Sequence, residues 1–113
     1  MKKLLAFVPM LALGGCFAHP APPPPPYHAV GTEPFWNVLI DPINITFTRP
    51  DAQQITERTP NSIIEVESET YRTPRIEVII VHARCSDGMS DRSYPDQVQV
   101  TVDGTQYKGC GGL

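Results

Sequence analysis

The stretch QVQVTVDGTQYK, residues 97–108, predicts a β-hairpin and sets the fold class of the domain. Its first half alternates between valine and polar residues, which is typical of a strand with one buried face. The inward residues are Val98, Val100 and Val102. Asp103-Gly104 favours a type I′ turn, because both central residues of that turn adopt positive φ. Residues 105–108 are then expected to return as the last strand.

A second apolar run, residues 75–83, predicts a central strand. Its two faces are both apolar, with Ile76, Val78 and Ile80 on one and Ile79 and Val81 on the other. Burial on both faces is typical of a strand inside a sheet. His82 falls on the face of Ile80 and is interpreted as a rim or core histidine with a hydrogen-bond partner.

Weaker patterns predict further strands on either side. Residues 35–40 place Trp36, Val38 and Ile40 on one face, and residues 43–48 place Ile43, Ile45 and Phe47 on one face after an Asp41-Pro42 turn. Residues 62–72 also alternate, so Glu65, Glu67 and Glu69 form either the solvated face of one strand or an acidic patch for a basic partner. Ile55 belongs to a loop or a short strand.

These patterns give about six to seven short strands and no helix. The prediction is an all-β fold, a small antiparallel β-barrel or half-barrel/sandwich, because curling protects the edges of a small sheet.

The N-terminus predicts an export signal. Lys2 and Lys3 precede an apolar run, residues 4–13, which is too short to span a membrane. The end of this leader, Leu-Gly-Gly-Cys16, resembles the lipobox of bacterial lipoproteins. That resemblance implies a diacylglyceryl group and an N-acyl chain on Cys16, and two lipid signals give stable anchoring. Phe17 in place of aspartate then favours the outer membrane, facing the periplasm.

The next residues predict a spacer. Pro20 and the run of residues 22–26 are proline, and an extended polyproline segment of this size spans roughly 20 Å. The predicted organisation is therefore a signal peptide over residues 1–15, a lipidated cysteine with its tether over 16–29, and a β-domain over 30–113. A docking motif for a polyproline-binding partner is the alternative for the tether.

The remaining cysteines predict a disulfide. With Cys16 assigned to lipid by its resemblance, Cys85 and Cys110 are left, and two exported cysteines usually pair. A redox-active pair or a thiolate metal site is the alternative, although the sequence contains neither CxxC nor a Cys/His cluster.

Residues 85–95, CSDGMSDRSYP, form the candidate binding or structural loop. We predict that Asp87, Asp91, Arg92 and Tyr94 build it, with Trp36 beside it. The acids do not follow the spacing of a calcium-binding EF-hand loop. The serines lack the context of a catalytic nucleophile. The chain is therefore interpreted as a non-enzyme with no catalytic residue, no metal and no cofactor other than the lipid on Cys16.

The charge argues against nucleic acid as a partner. The formal charge is −3, and removal of the leader lysines makes it more negative. Phosphate binding needs several basic residues on one face.

Three motifs resemble a family of uncharacterised bacterial envelope lipoproteins: GTEPFW at residues 31–36, CSDGMSDRSYP at 85–95 and GC at 109–110. The resemblance implies a location and no activity. Three functions stay open: a lipid-anchored binding or structural module with an envelope protein as its partner; an inhibitor of a lysozyme-type hydrolase, as in small β-barrel lipoproteins of the periplasm; and a carrier of a small ligand with Trp36 at its mouth.

Overall fold

The computed structural model describes residues 21–22, 24–88 and 91–113, and these form β-strands and turns. The strands are β1 (Tyr27–Thr32), β2 (Phe35–Ile40), β3 (Asn44–Thr48), β4 (Ile55–Arg58), β5 (Ile63–Ile64), β6 (Ser68–Arg72), β7 (Ile76–Val81), β8 (Cys85–Ser86), β9 (Ser93–Tyr94), β10 (Asp96–Val102) and β11 (Thr105–Gly111). Nine of them build one antiparallel sheet in the order β4-β3-β2-β1-β11-β10-β7-β6-β5, and β8 pairs with β9. The predicted all-β class is confirmed.

The hairpin of β10 and β11 has the predicted geometry. Asp103 and Gly104 adopt φ of 48° and 86°, so the turn lies in the left-handed region as expected. Val98, Val100 and Val102 are buried and pair with the inward face of β7. β7 lies between β10 and β6, which confirms its interior position in the sheet.

The sheet curls until its two ends approach each other. The Glu57 carboxylate on β4 accepts hydrogen bonds from the Thr73 hydroxyl and the Arg75 backbone N–H, at 3.2 and 3.0 Å, in the turn between β6 and β7. These bonds connect β4, at one end of the strand order, to the β6–β7 turn near the other end, and so help to hold the sheet as a half-barrel.

Three expectations are corrected. Residues 62–72 form a hairpin, β5 and β6, because the Glu65 N–H donates to the Ser68 carbonyl and closes a tight turn. The sheet begins at Tyr27 and not at residue 30, since all six residues of β1 pair with β2. The described residues contain eleven strands in place of six or seven, because β1, β4, β5, β8 and β9 each gain pairing partners that the alternation does not reveal.

We expect the Asp103→Asn variant to lose part of its stability at neutral pH and none in acid. Arg75 donates two hydrogen bonds to Asp103, at 3.0 and 2.7 Å, and this guanidinium lowers the pKa of the Asp103 carboxyl. A lowered pKa contributes stability above the pKa of the unfolded chain, and that stability is lost as the pH falls through the folded value. Asparagine tolerates the positive φ, so the turn itself is kept.

Urea unfolding at several pH values checks this prediction. The gap in unfolding free energy between wild type and variant should be largest near pH 7, should begin to shrink near about pH 4, the pKa of aspartate in the unfolded chain, and should close once the folded carboxyl is also protonated. A gap that stays constant down to pH 2 would show that the ion pair is not its cause.

Candidate functional site

Trp36 lies on the inner face of the sheet. Its side chain is 3% exposed, and its ring packs on Phe47 and Tyr107, with the Trp36 and Phe47 ring centroids 6.2 Å apart. The indole covers two glycines, because a β carbon on Gly31 would overlap the indole ring and one on Gly109 would lie 2.8 Å from Cζ2. Arg49 donates a hydrogen bond of 2.7 Å to the Tyr107 hydroxyl at the border of this cluster. Aromatic side chains therefore fill this part of the interior.

The segment after β7 lies on the opposite, outer face. Cys110 follows Gly109 in β11, and neighbouring residues of a strand point to opposite faces. Gly109 faces Trp36, so the Cys110 side chain points outward. The disulfide joins Cys110 to Cys85, which confirms the predicted pairing and holds β8 against the outer face of β11.

The prediction that Trp36 lies beside the loop is therefore wrong. The sheet separates them, because the pairing of β1 with β11 places Gly109 and Cys110 on different faces.

The other loop residues have different environments. Asp87 is half-buried, Asp91 and Arg92 are exposed, and Tyr94 is 8% exposed and pairs with Cys85 across the two-stranded sheet. Met89 and Ser90 lie outside the described residues, as does Cys16, so the predicted lipidation site has no structural description. Tyr94 thus has a packing role, and Asp87, together with Cys85 and Ser86, lines the groove described next.

An open groove of about 430 Å³ lies on the outer face between β8 and the sheet. Residues 85–87 form its wall. Its floor comes from β1, β7, β10 and β11, which contribute Val30, Ile79, Val81, Gln97, Gln99 and Lys108. Ile79 and Val81 are half-buried, so the second apolar face of β7 forms the floor of a groove and not a closed core.

An exposed aromatic residue extends this surface. Phe35 is 57% exposed, and it lines a second depression that shares Val30 and Thr32 with the groove. Phe35 and Trp36 are adjacent in β2 and therefore point to opposite faces.

The sequence pattern did not identify these groove residues. Their side chains point outward, whereas the strands that contain them were predicted from the valines and isoleucines that point inward. A usable signal was present in the glutamines of β10, Gln97 and Gln99, which lie at alternate positions and share one face.

A second cluster of polar side chains joins β1 and β10 to His82, the residue after β7. Asp96 is 6% exposed; its carboxylate accepts a 2.8 Å hydrogen bond from the Tyr27 hydroxyl and lies 2.9 Å from Nδ1 of His82. Burial and this hydrogen bond raise the pKa of Tyr27, so Tyr27 stays a neutral donor. The interpretation of His82 as a rim histidine with a partner is confirmed. The cluster connects β1 and β10 to the residue after β7 and has a structural explanation.

Within the described part of the chain, no group of three or more His, Cys, Asp or Glu side chains is arranged to hold a metal ion. No helix in the same residues could cross a membrane.

Comparison with known proteins found no relative: no family model, no curated protein and no solved structure matches the chain significantly.

Proposed function

We propose that this protein is a lipid-anchored binding module of the bacterial cell envelope, and that its outer-face groove holds an extended segment of another envelope protein. The observation that carries the proposal is the groove itself, an open depression of about 430 Å³ beside a segment held by a disulfide. The lipobox at Cys16 and the proline-rich tether support the location.

The composition of the groove suits a polypeptide. Ile79 and Val81 offer apolar surface to side chains, while the amide groups of Gln97 and Gln99 can donate to and accept from a peptide backbone. Lys108 adds a positive charge at the surface of β11, and exposed Phe35 lies alongside. Protein interfaces mix polar and apolar surface and are enriched in aromatic residues.

The interior is less suited to a ligand. A carrier needs an accessible interior cavity, but Trp36, Phe47 and Tyr107 pack against one another there, and Phe47 and Tyr107 have ring centroids 5.1 Å apart. Binding is therefore assigned to the surface.

Site-specific photo-crosslinking tests the groove. We expect a photoreactive phenylalanine analogue at Gln99 to give an adduct with one envelope protein, at least about tenfold stronger than from Gln106. Gln106 is the matched control, since it is a glutamine on the neighbouring strand, shares the outer face and lies outside the groove. An added Ile79→Glu substitution in the groove floor should remove the Gln99 adduct.

Equal adducts from Gln99 and Gln106, or an adduct unaffected by Ile79→Glu in a folded protein, would contradict the assignment.

The lipid anchor is tested separately. Mass spectrometry of the membrane fraction should find lipid on an N-terminal Cys16, and Cys16→Ser should release the chain from the membrane.

A further inference from the structure

The β5–β6 hairpin presents apolar side chains to solvent. Ile63 is 51% exposed, Ile64 77% and Val66, at the tip, 98%. None of them belongs to the buried core cluster, and β5 is the last strand of the nine-stranded order. Burying such side chains against a partner is favourable, roughly 25 cal/mol per Å² of apolar surface. The hairpin is therefore a candidate interaction surface.

The tip of the same hairpin is acidic. Glu65 and Glu67 are exposed on either side of Val66, and residues 61–71 contain no lysine, arginine or histidine. The next basic residue, Arg72, donates to Glu77 at 2.8 Å and so pairs with a different carboxylate. The carboxylates beside Val66 thus give the tip a concentrated negative charge next to apolar surface.

The tip is held in a defined conformation. The Glu65 N–H donates to the Ser68 carbonyl, and the His82 N–H donates to the Glu67 carbonyl, both at 2.8 Å. The second bond attaches the turn to the residue after β7, whose ring contacts buried Asp96. A preorganised element loses little conformational entropy on binding, which favours affinity.

We propose that the β5–β6 hairpin docks onto the positively charged surface of another protein, where an apolar depression takes Val66 and Ile64. The proposal is independent of the groove, because none of the groove-lining residues belongs to this hairpin. Charge selects the kind of partner. An anionic lipid surface repels the glutamates, and a second copy of the hairpin would bring like charges together.

Photo-crosslinking from Val66 in the full-length chain, lipid anchor included and in its own envelope, tests this proposal. The matched control is Ile43, a second apolar residue on a turn, 68% exposed. We expect the probe at Val66 to give an adduct with another protein and the probe at Ile43 to give none. Glu65→Lys with Glu67→Lys should lower its yield at least about fivefold, because the attraction becomes repulsion. Glu65→Gln with Glu67→Gln should give an intermediate yield, and peptide mapping should locate the adduct beside lysines or arginines.

Circular dichroism and an intact disulfide establish that each variant is folded. The proposal is overturned by the absence of a Val66 adduct, by a lipid adduct, by an adduct with the mass of two copies of this chain, or by a yield that is unchanged in the charge-reversed variant.

Discussion

Replacing Gly109 with alanine should lower the free energy of unfolding by about 3 kcal/mol or more, which is enough to unfold many small domains. A β carbon at this position would overlap the Val30 carbonyl oxygen and lie 2.8 Å from Cζ2 of Trp36. The first obstacle is backbone of β1, which cannot move without breaking its pairing with β2. The second is a buried ring that packs on Phe47 and Tyr107. Thermal or urea unfolding of the purified variant measures the loss.

Gly104→Ala is the control for this prediction. Gly104 has a φ of 86° but nothing lies within 4 Å of its added β carbon, so only the backbone conformation opposes the substitution. The expected cost is roughly 1 kcal/mol. If Gly109→Ala unfolds no more easily than Gly104→Ala, then β1 and Trp36 do not approach Gly109 closely enough to exclude a β carbon, and the prediction is wrong.

Removing the disulfide should have a comparably large effect, with a second consequence for the groove. The bond closes a separation of 25 residues, and the chain-entropy model assigns about 3 kcal/mol to a loop of this size. Cys85→Ser with Cys110→Ser should therefore lower the free energy of unfolding by about this amount. It should also release the wall of the groove, because residues 85–87 are held on the outer face by this bond.

Two measurements separate these consequences. Urea unfolding reports the stability, and amide hydrogen exchange of residues 85–87 reports the attachment of the wall. Reduction of the wild-type protein should reproduce both results, which controls for the serines. A variant that unfolds like the oxidised wild type would show that the pairing contributes no stability.

The sequence was most informative where structure is local. The alternation over residues 97–102 and the Asp103-Gly104 turn predicted β10, β11 and the hairpin, because a two-residue turn determines the register of the strands it joins. The range of β2 was predicted in full, residues 35–40. The cysteine pairing followed from counting, once Cys16 had been assigned to lipid.

The sequence was least informative where the alternation of apolar and polar residues continues through a turn. Ile64, Val66 and Ser68 keep the period of a strand, yet Val66 lies at the tip of a hairpin. The turn contains none of the Gly, Pro, Asn or Asp signals that mark such turns. Its conformation depends on the Ser68 and Glu67 carbonyls and on His82, which is distant in sequence.

Side-chain alternation and turn chemistry act between near neighbours, so the fold class, the β10–β11 hairpin and the residues that share a face in most strands could be predicted from the sequence. Where both faces of a strand are apolar, as in β7 and at the start of β2, the packing of distant strands settles which face becomes the interior. Phe35 and Trp36 are equally apolar neighbours, and Trp36 points inward because Gly31 and Gly109 leave space for its ring. The same pairing of distant strands directs Cys110 outward, so residues 85–87 lie on the face opposite Trp36 and border the groove.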